Sequence, residues 1–355
     1  MDKKLLLIGG LGAVVVLALG ILVGNAIGGF WYAPQQAPLP TLNPAEVATR
    51  IPPTASQPDS TPANPETAMA VTPTPTEAPT PTPKPLCGGP PTMDILLIGS
   101  YRGYYDLADA IRIAHVDFTK PEVVVVTIPR DLIVKLPDDS PYPSPVKLNQ
   151  SYFLGTPIMQ TGAHPTSGAE LLARTIGLNF GVQVDHYAII SGNGIREFIT
   201  ALGGVTVCVS EDINDDATKL KIKAGCHNVD GWDFMRLLRY RGDQGDLFRL
   251  KNQNWLLQSV LDRISSPQIL KSWDDLLRLY GDLVMTDLSP AQISQLLCLG
   301  RHLDKEKIHF VSPPEDFFQL DEQQIYLSYQ PIYSSVLLWD NRFVQWLQEQ
   351  LHPTP

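Results

Sequence analysis

The globular part of this 355-residue sequence predicts a three-layer α/β/α domain with a central mixed sheet. Strand-like segments at residues 93–100, 110–118 and 122–128 follow one another closely. Beyond them, apolar residues at helical spacing alternate with short β-branched runs. This alternation of strands and helices favours a sheet that is covered on both faces.

Each element has its own sequence signal. The segment MDILLIGS at 93–100 is an apolar run that ends in Gly-Ser, as a buried strand does when it enters a loop. The segment AIRIAHVDF alternates in part, and EVVVVTI is a β-branched block that stops at Pro129. Further strands are predicted at 186–190 and 205–209. Helices are predicted at 166–176, 194–201, 255–264, 273–280, 290–299 and 341–351.

The N-terminal region predicts a membrane anchor. Residues 5–32 contain no charged side chain and are long enough to cross a bilayer as a helix. Lys3 and Lys4 precede this run, which predicts that residues 1–4 are cytoplasmic and that the rest of the chain is extracytoplasmic. A cleaved signal peptide is the alternative, but the run is longer than a usual signal h-region and lacks a clear cleavage site. We expect a single-pass, uncleaved anchor in the cell membrane.

Residues 33–92 predict a disordered linker. They hold more than half of the 32 prolines, in runs such as TPTPTEAPTPTPKP, and almost no aliphatic side chains of core size. Such a segment cannot bury enough apolar area to offset the entropy of ordering, and it favours an extended tether. The folded domain is therefore expected at residues 93–355.

Composition limits the choice of function. The formal net charge of -10 argues against nonspecific binding of nucleic acid, which needs a basic surface. The four cysteines lie beyond the predicted anchor, where an even number favours disulfides. We predict the pairs Cys208 with Cys226 and Cys87 with Cys298. Their spacing does not match a zinc site.

Cations are concentrated between residues 229 and 253 of this acidic chain. The segment contains Arg236, Arg239, Arg241 and Arg249. A guanidinium group fits phosphate oxygens two at a time and keeps its charge, so the cluster indicates an anionic ligand. The alternative is a solvated charged face that neighbouring aspartates balance.

Several motifs occur in an order that resembles the extracytoplasmic domain of LytR-CpsA-Psr proteins, over about residues 93–311. ILLIGS resembles the opening strand of the family, and ADAI resembles its Ser-Asp-Thr segment at Asp109. TIPRD resembles the Ser-Ile-Pro-Arg-Asp signature at Arg130, VKLNQSY a Lys-Ile-Asn segment at Lys147, and ALGGVTV a Leu-Gly-Gly-Val turn. The pair RYR and GDLFRLKNQ resembles the Arg-x-Arg and Asp-x-x-Arg-x-x-x-Gln motifs at Arg239, Arg241, Arg249 and Gln253.

The resemblance implies a membrane-anchored phosphotransferase. Such enzymes take a glycopolymer from a polyprenyl-pyrophosphate carrier and join it to a cell-wall acceptor, usually peptidoglycan. Their active site is an arginine-rich mouth, beside a magnesium ion held by aspartates, above an apolar tunnel for the lipid. The implied catalytic residues here are Arg130, Arg239, Arg241 and Asp109. The expected pyrophosphate-binding and lipid-binding residues are Arg102, Lys147, Arg249 and Gln253, and the expected magnesium ligands are Asp109 and Asp106.

Some positions depart from the family pattern. Tyr101 stands where an aspartate usually helps to hold the metal, Leu107 replaces an arginine, and Asn252 replaces the second arginine of the last motif. A tyrosine hydroxyl, with an ordinary pKa of about 10, is a poor magnesium ligand beside a carboxylate. We therefore expect a weakened magnesium site. The alternatives are a metal-independent polyprenyl-phosphate-binding protein without transferase activity, and a structural envelope protein.

Overall fold

The computed structural model describes residues 36–40, 84–101, 104–164, 166–242, 245–266 and 284–352. The predicted anchor, most of the predicted linker and the predicted helix at 273–280 lie outside these residues. Among the helices within these ranges, none is both long and apolar enough to cross a membrane.

The described helices are α1 (Leu148–Leu154), α2 (Ser167–Phe180), α3 (Gly192–Ala201), α4 (Gly231–Arg239), α5 (Gly245–Ile264), α6 (Pro290–Gly300) and α7 (Asn341–Leu351). The described strands are β1 (Thr92–Ser100), β2 (Ala108–Asp117), β3 (Glu122–Ile128), β4 (Ile133–Val134), β5 (Val146–Lys147), β6 (His186–Ser191), β7 (Val205–Val209), β8 (Ile213–Asp215), β9 (Leu220–Ile222), β10 (Gly225–Val229), β11 (Val284–Thr286), β12 (Ile308–Val311), β13 (Phe318–Leu327) and β14 (Gln330–Trp339).

A mixed sheet forms the centre of the domain, as the sequence predicts. Among the described residues its strand order is β11-β6-β1-β2-β3-β12. Strand β1 runs parallel to β6, and β3 runs parallel to β12, whereas β2 is antiparallel to both β1 and β3. The three strands predicted first in the sequence, β1 to β3, therefore lie side by side.

Both faces of the sheet are buried because successive side chains of a strand point to opposite sides. Met93 and Ile95 of β1 pack into one apolar cluster with α3, α4, α5 and α6. Leu96 and Ile98 pack into the other cluster, with α1, α2 and α7. Helices thus cover both faces, and the predicted three-layer arrangement is confirmed. We call the side that carries α3, α4 and α5 the cavity face.

After residue 255 the sequence predicts only helices, but the structure also contains strands in this part of the chain. It contains the long hairpin of β13 and β14, which the sequence analysis missed. Residues of β13 such as Gln319, Glu322 and Gln323 are weak strand formers, so local propensity gives little signal there. The strand predicted at 205–209 is present as β7, but it pairs with β10 outside the central sheet.

Both predicted disulfides are present. Cys208 and Cys226 face each other in register across β7 and β10. Cys87 is bonded to Cys298 of α6, which ties the segment before β1 to a helix 211 residues away in sequence. Both bonds join elements of the cluster on the cavity face.

We expect the double substitution Cys87→Ala with Cys298→Ala to lower the free energy of unfolding by about 2–4 kcal/mol, because the unfolded chain loses a long covalent loop. Urea denaturation under oxidising conditions measures the change. The bond between Cys208 and Cys226 closes a much shorter loop, so the variant with Cys208→Ala and Cys226→Ala should lose less stability. Equal urea midpoints for wild type and the first variant would contradict this expectation.

Candidate functional site

A cavity of about 760 Å³ lies between the cavity face of the sheet and helices α3, α4 and α5. Its apolar wall comes from alternate strand positions and from the inner sides of the helices. The residues of this wall include Leu97, Val125, Ile195, Phe198, Phe234, Leu257 and Val260. Their aliphatic and aromatic surfaces suit a hydrocarbon chain.

The arginines predicted from the sequence converge on this cavity. Arg130 follows β3, Arg239 ends α4, Arg241 lies in the turn after α4, and Arg249 is on α5; all four line the cavity. Arg249 and Gln253 share one face of α5, as their spacing of four predicts, and both are buried. Arg236, the remaining arginine of the sequence cluster, is not among the described lining residues and pairs with Asp233, so three members of that cluster meet at the cavity.

Asp109 and Arg130 form an ion pair at the cavity. The Nη1 atom of Arg130 lies 2.5 Å from Oδ1 of Asp109, and the backbone N–H of Tyr101 donates to Oδ2 of Asp109 over 3.2 Å. The pairing of β1 with β2 shifts by one residue between Gly99 and Ser100, next to this contact. Such an irregularity redirects side chains at the end of a strand, and here it accompanies the approach of Asp109 to Arg130.

Tyr101 holds Arg239 in place. The guanidinium carbon of Arg239 lies 4.5 Å from the centre of the Tyr101 ring, and Nη1 of Arg239 donates to the Tyr101 hydroxyl over 3.0 Å. Gly192 permits this position of Tyr101, because a Cβ at residue 192 would lie 2.5 Å from the Tyr101 carbonyl oxygen. Tyr101 thus positions one of the predicted catalytic arginines through a cation–π contact and a hydrogen bond.

Two amide side chains of α5 fix the end of α4. Asn252 Nδ2 donates to the carbonyl oxygen of Leu237 over 2.9 Å, and Gln253 Nε2 donates to that of Leu238 over 3.1 Å. These carbonyls belong to the last turn of α4, where carbonyl groups have no N–H donor one turn further along the helix. Asn252 therefore supplies a donor to the end of a helix. The same contacts bring Arg239 and Arg249 to one cavity wall.

Other predicted site residues lie elsewhere or outside the described chain. Lys147 is not among the described residues that line the cavity; its Nζ lies 3.4 Å from Oδ1 of Asp131. Asp131 in turn lies 3.5 Å from Nε of Arg130. Lys147 thus stands behind Arg130, with Asp131 between them, and direct contact of Lys147 with a phosphate stays a prediction. Arg102 lies outside the described residues.

The predicted magnesium ligands Asp109 and Asp106 both line the cavity. Both oxygens of Asp109 are already near donors, one from Arg130 and one from Tyr101. Within the described ranges, neither aspartate belongs to a group of three His, Cys, Asp or Glu side chains that are close enough together to bind one cation. These side chains alone do not fit a resident magnesium site, so magnesium binding stays a prediction that requires a ligand to supply further oxygens.

Arg112 is an arginine of the cavity lining that the sequence did not predict. It lies on β2, lines the cavity, and its Nη2 atom donates to Oε1 of Gln253 over 3.0 Å. Burial, together with the positive charge of Arg249, lowers the pKa of Arg112 to about 10. The available signal was a single cation inside the apolar strand segment AIRIAHV.

The fold and this cavity can now be compared with known proteins. The LytR_cpsA_psr family profile matches residues 89–337, which is well over half of the chain. The chain is 31% identical over 163 residues to "Probable cell wall biosynthesis protein LcpB" of Corynebacterium glutamicum, covering 46% of this chain and 35% of LcpB. It is 24% identical over 184 residues to "Polyisoprenyl-teichoic acid--peptidoglycan teichoic acid transferase TagU" of Enterococcus faecalis, covering 51% of this chain and 55% of TagU.

The fold is also similar to that of a solved structure. The crystal structure of TagV from B. subtilis matches with a TM-score of 0.55 and 21% identity, over 74% of this chain and 98% of TagV. Fold and cavity define an α/β protein with an arginine-lined apolar cavity. The chain belongs to the LytR-CpsA-Psr family, as its motifs predict. It spans between about a third and just over half of LcpB and TagU.

We expect Asp109→Asn to strengthen the binding of inorganic pyrophosphate in the presence of a chelator by about three- to tenfold, because the variant removes the negative charge that competes for Arg130. Isothermal titration with the full chain measures the affinity. Asp139→Asn is the matched control, since Asp139 pairs with Arg174 and does not line the cavity. An unchanged or lower affinity in Asp109→Asn would contradict competition between Asp109 and the anion.

Proposed function

We propose that this protein transfers a glycopolymer from a polyprenyl-pyrophosphate carrier to a cell-wall acceptor such as peptidoglycan. The observation that carries the proposal is the convergence of Arg130, Arg239, Arg241 and Arg249 on one apolar cavity. A ligand complementary to such a cavity has a hydrocarbon chain at one end and a multiply charged anion at the other. Membership of the LytR-CpsA-Psr family and the transferase activity for which the relative TagU is named support the same class of reaction.

In the proposed reaction, a hydroxyl group of the acceptor attacks the phosphorus atom next to the glycan. The bond between that phosphorus and the bridging oxygen breaks, polyprenyl monophosphate leaves, and the hydroxyl proton passes to solvent. Phosphoryl transfer chiefly requires that the protein position the reacting groups and stabilise negative charge on the phosphate oxygens. Arg130 and Arg239 have the charge for this role, and Asp109 and Tyr101 orient them.

The surrounding residues have supporting roles in this proposal. Lys147 and Asp131 hold Arg130 from behind, and Gln253 fixes the spacing of α4 and α5. Magnesium, when bound with the carrier's phosphates, would supply further positive charge near Asp109 and Asp106. The predicted anchor at residues 5–32 would keep the domain at the membrane that contains the carrier.

We expect Arg130→Ala and Arg239→Ala each to reduce transfer by at least about 100-fold, because each removes a cation that stabilises charge in the transition state. The assay uses the full chain in detergent, a polyprenyl-pyrophosphate-linked oligosaccharide and a peptidoglycan fragment. Mass spectrometry detects the phosphodiester product. Arg301→Ala, which removes an exposed arginine at the end of α6, is the matched control. Full transfer activity in a folded Arg130→Ala variant would refute the proposed role of the cavity.

A second candidate is a binding protein without turnover, and the engagement of both Asp109 oxygens by Arg130 and Tyr101 favours it. In that case polyprenyl phosphate should bind equally well with and without a chelator, and no phosphodiester should form. The transferase predicts product formation in the same samples. Titration with excess EDTA, followed by addition of magnesium, separates the two candidates.

A further inference from the structure

Among the described residues, Arg112 is a buried cation without an acidic partner. Its side chain is 7% exposed. In the part of the chain that the structure describes, it bonds only the neutral oxygens of Gln253 and Asn254, at 3.0 and 3.5 Å, and its Nε atom has no hydrogen-bond partner. Removing a guanidinium group from water is unfavourable unless an anion or a complete set of acceptors replaces the water.

A second buried cation lies beside it. Arg249 is 4% exposed and lines the same cavity, and its charge contributes to the lowered pKa of Arg112. With a pKa of about 10, Arg112 is still protonated at neutral pH. Among the described lining residues, the carboxylates are Asp106, Asp109 and Asp215, and none of them bonds Arg112. Two positively charged side chains therefore lie close together in the cavity. An anion bound between them would offset their mutual repulsion.

A purely structural role explains Arg112 less well. Its two hydrogen bonds join β2 to α5, but Asn254 of α5 already accepts from Thr127 of β3 over 3.1 Å and donates to Ser312 over 2.9 Å. The helix is thus attached to the neighbouring part of the sheet by neutral groups. An apolar side chain at position 112 would continue the wall formed by Leu97 and Val125 without the cost of burying a charge.

The position of Arg112 on β2 places it inside the cavity. Arg112 is three residues beyond Asp109, which corresponds to about 10 Å along a strand. It pairs with Leu97 of β1 and with Thr127 of β3, whereas Asp109 contacts Arg130 after the end of β3. The cavity therefore has an outer group of cations near Asp109 and an inner group further along the sheet.

We propose that Arg112 is a further phosphate-binding residue of this cavity, an inference that rests on the proposed function. With Arg249, which the family resemblance already assigns to the pyrophosphate, Arg112 forms an inner anion site for the lipid-side phosphate of the carrier. The glycan-side phosphate would then meet Arg130 and Arg239, and the hydrocarbon chain would lie against the apolar wall. The same site would hold the polyprenyl monophosphate that leaves after transfer. It makes the cavity selective for phosphorylated prenyl lipids over the corresponding alcohols.

The test compares farnesyl monophosphate with farnesol, two probes with the same hydrocarbon chain. Isothermal titration of the full chain in detergent gives the ratio of the two affinities. We expect wild type to bind the phosphate at least about tenfold more tightly, since a charge-assisted hydrogen bond is roughly twice as strong as a neutral one. In Arg112→Met the ratio should fall by about threefold or more, because four other arginines of the lining remain, while the affinity for farnesol is retained.

Two further variants make the result specific. Arg112→Gln removes the charge but keeps a polar side chain that can reach α5. If Arg112 belongs to the inner site, this variant should lose the preference for the phosphate in the same way; if Arg112 is structural, the ratio of affinities should change little. Arg112→Gln also serves as the test variant if Arg112→Met does not fold. Arg301→Met, at an exposed arginine remote from the cavity lining, should keep the wild-type ratio.

The outcomes separate the inner site from the proposed function. A ratio in Arg112→Gln equal to that of wild type would overturn the inner site, even if glycopolymer transfer by wild type is intact. A wild type that binds both probes equally would also overturn it. Failure of wild type to bind either probe and to transfer a glycopolymer would overturn the proposed function itself. Loss of preference in both Arg112 variants, with farnesol binding unchanged, supports the inner site.

Discussion

The arrangement of the cavity depends on how α5 is joined to α4. Asn252 and Gln253 donate to the last carbonyls of α4, and this contact fixes the end of one helix against the side of the other. The negative end of the α4 dipole then lies next to Arg239, which is favourable for a cation. Together with the hydrogen bond from Arg239 to the Tyr101 hydroxyl, this contact holds the end of α4 at the wall that Arg249 occupies.

The cavity combines an apolar wall with several positively charged side chains. Its walls are aliphatic and aromatic, as in a protein core, yet five arginines lie among the described residues that line it. Asp109 balances part of this charge at Arg130, whereas the Tyr101 hydroxyl and the amide oxygen of Gln253 only accept hydrogen bonds from Arg239 and Arg112. A cavity built in this way is complementary to an amphiphile with an anionic end, and less so to a neutral lipid or to a free ion.

Two positions that the sequence is expected to hold differently from the family motifs have definite contacts here. Tyr101 contacts Arg239 with its ring and its hydroxyl. Asn252 donates to the carbonyl oxygen of Leu237 in the last turn of α4. Both side chains therefore hold the end of α4, Tyr101 through the terminal arginine and Asn252 through the backbone.

The sequence by itself determined the central strands, the alternation with helices, the two disulfides and four of the five arginines that line the cavity among the described residues. The strands and helices follow from local patterns, because apolar periodicity fixes which face of a strand or helix is buried. The disulfides follow from the even number of cysteines, and the four arginines follow from the resemblance to the family motifs. The position of Lys147 behind Asp131, the hairpin of β13 and β14, and the inner cation Arg112 were decided only by the tertiary structure. Arg112 meets Gln253 across 141 residues of chain, and a local pattern reveals that a side chain points inward but not which group it faces there.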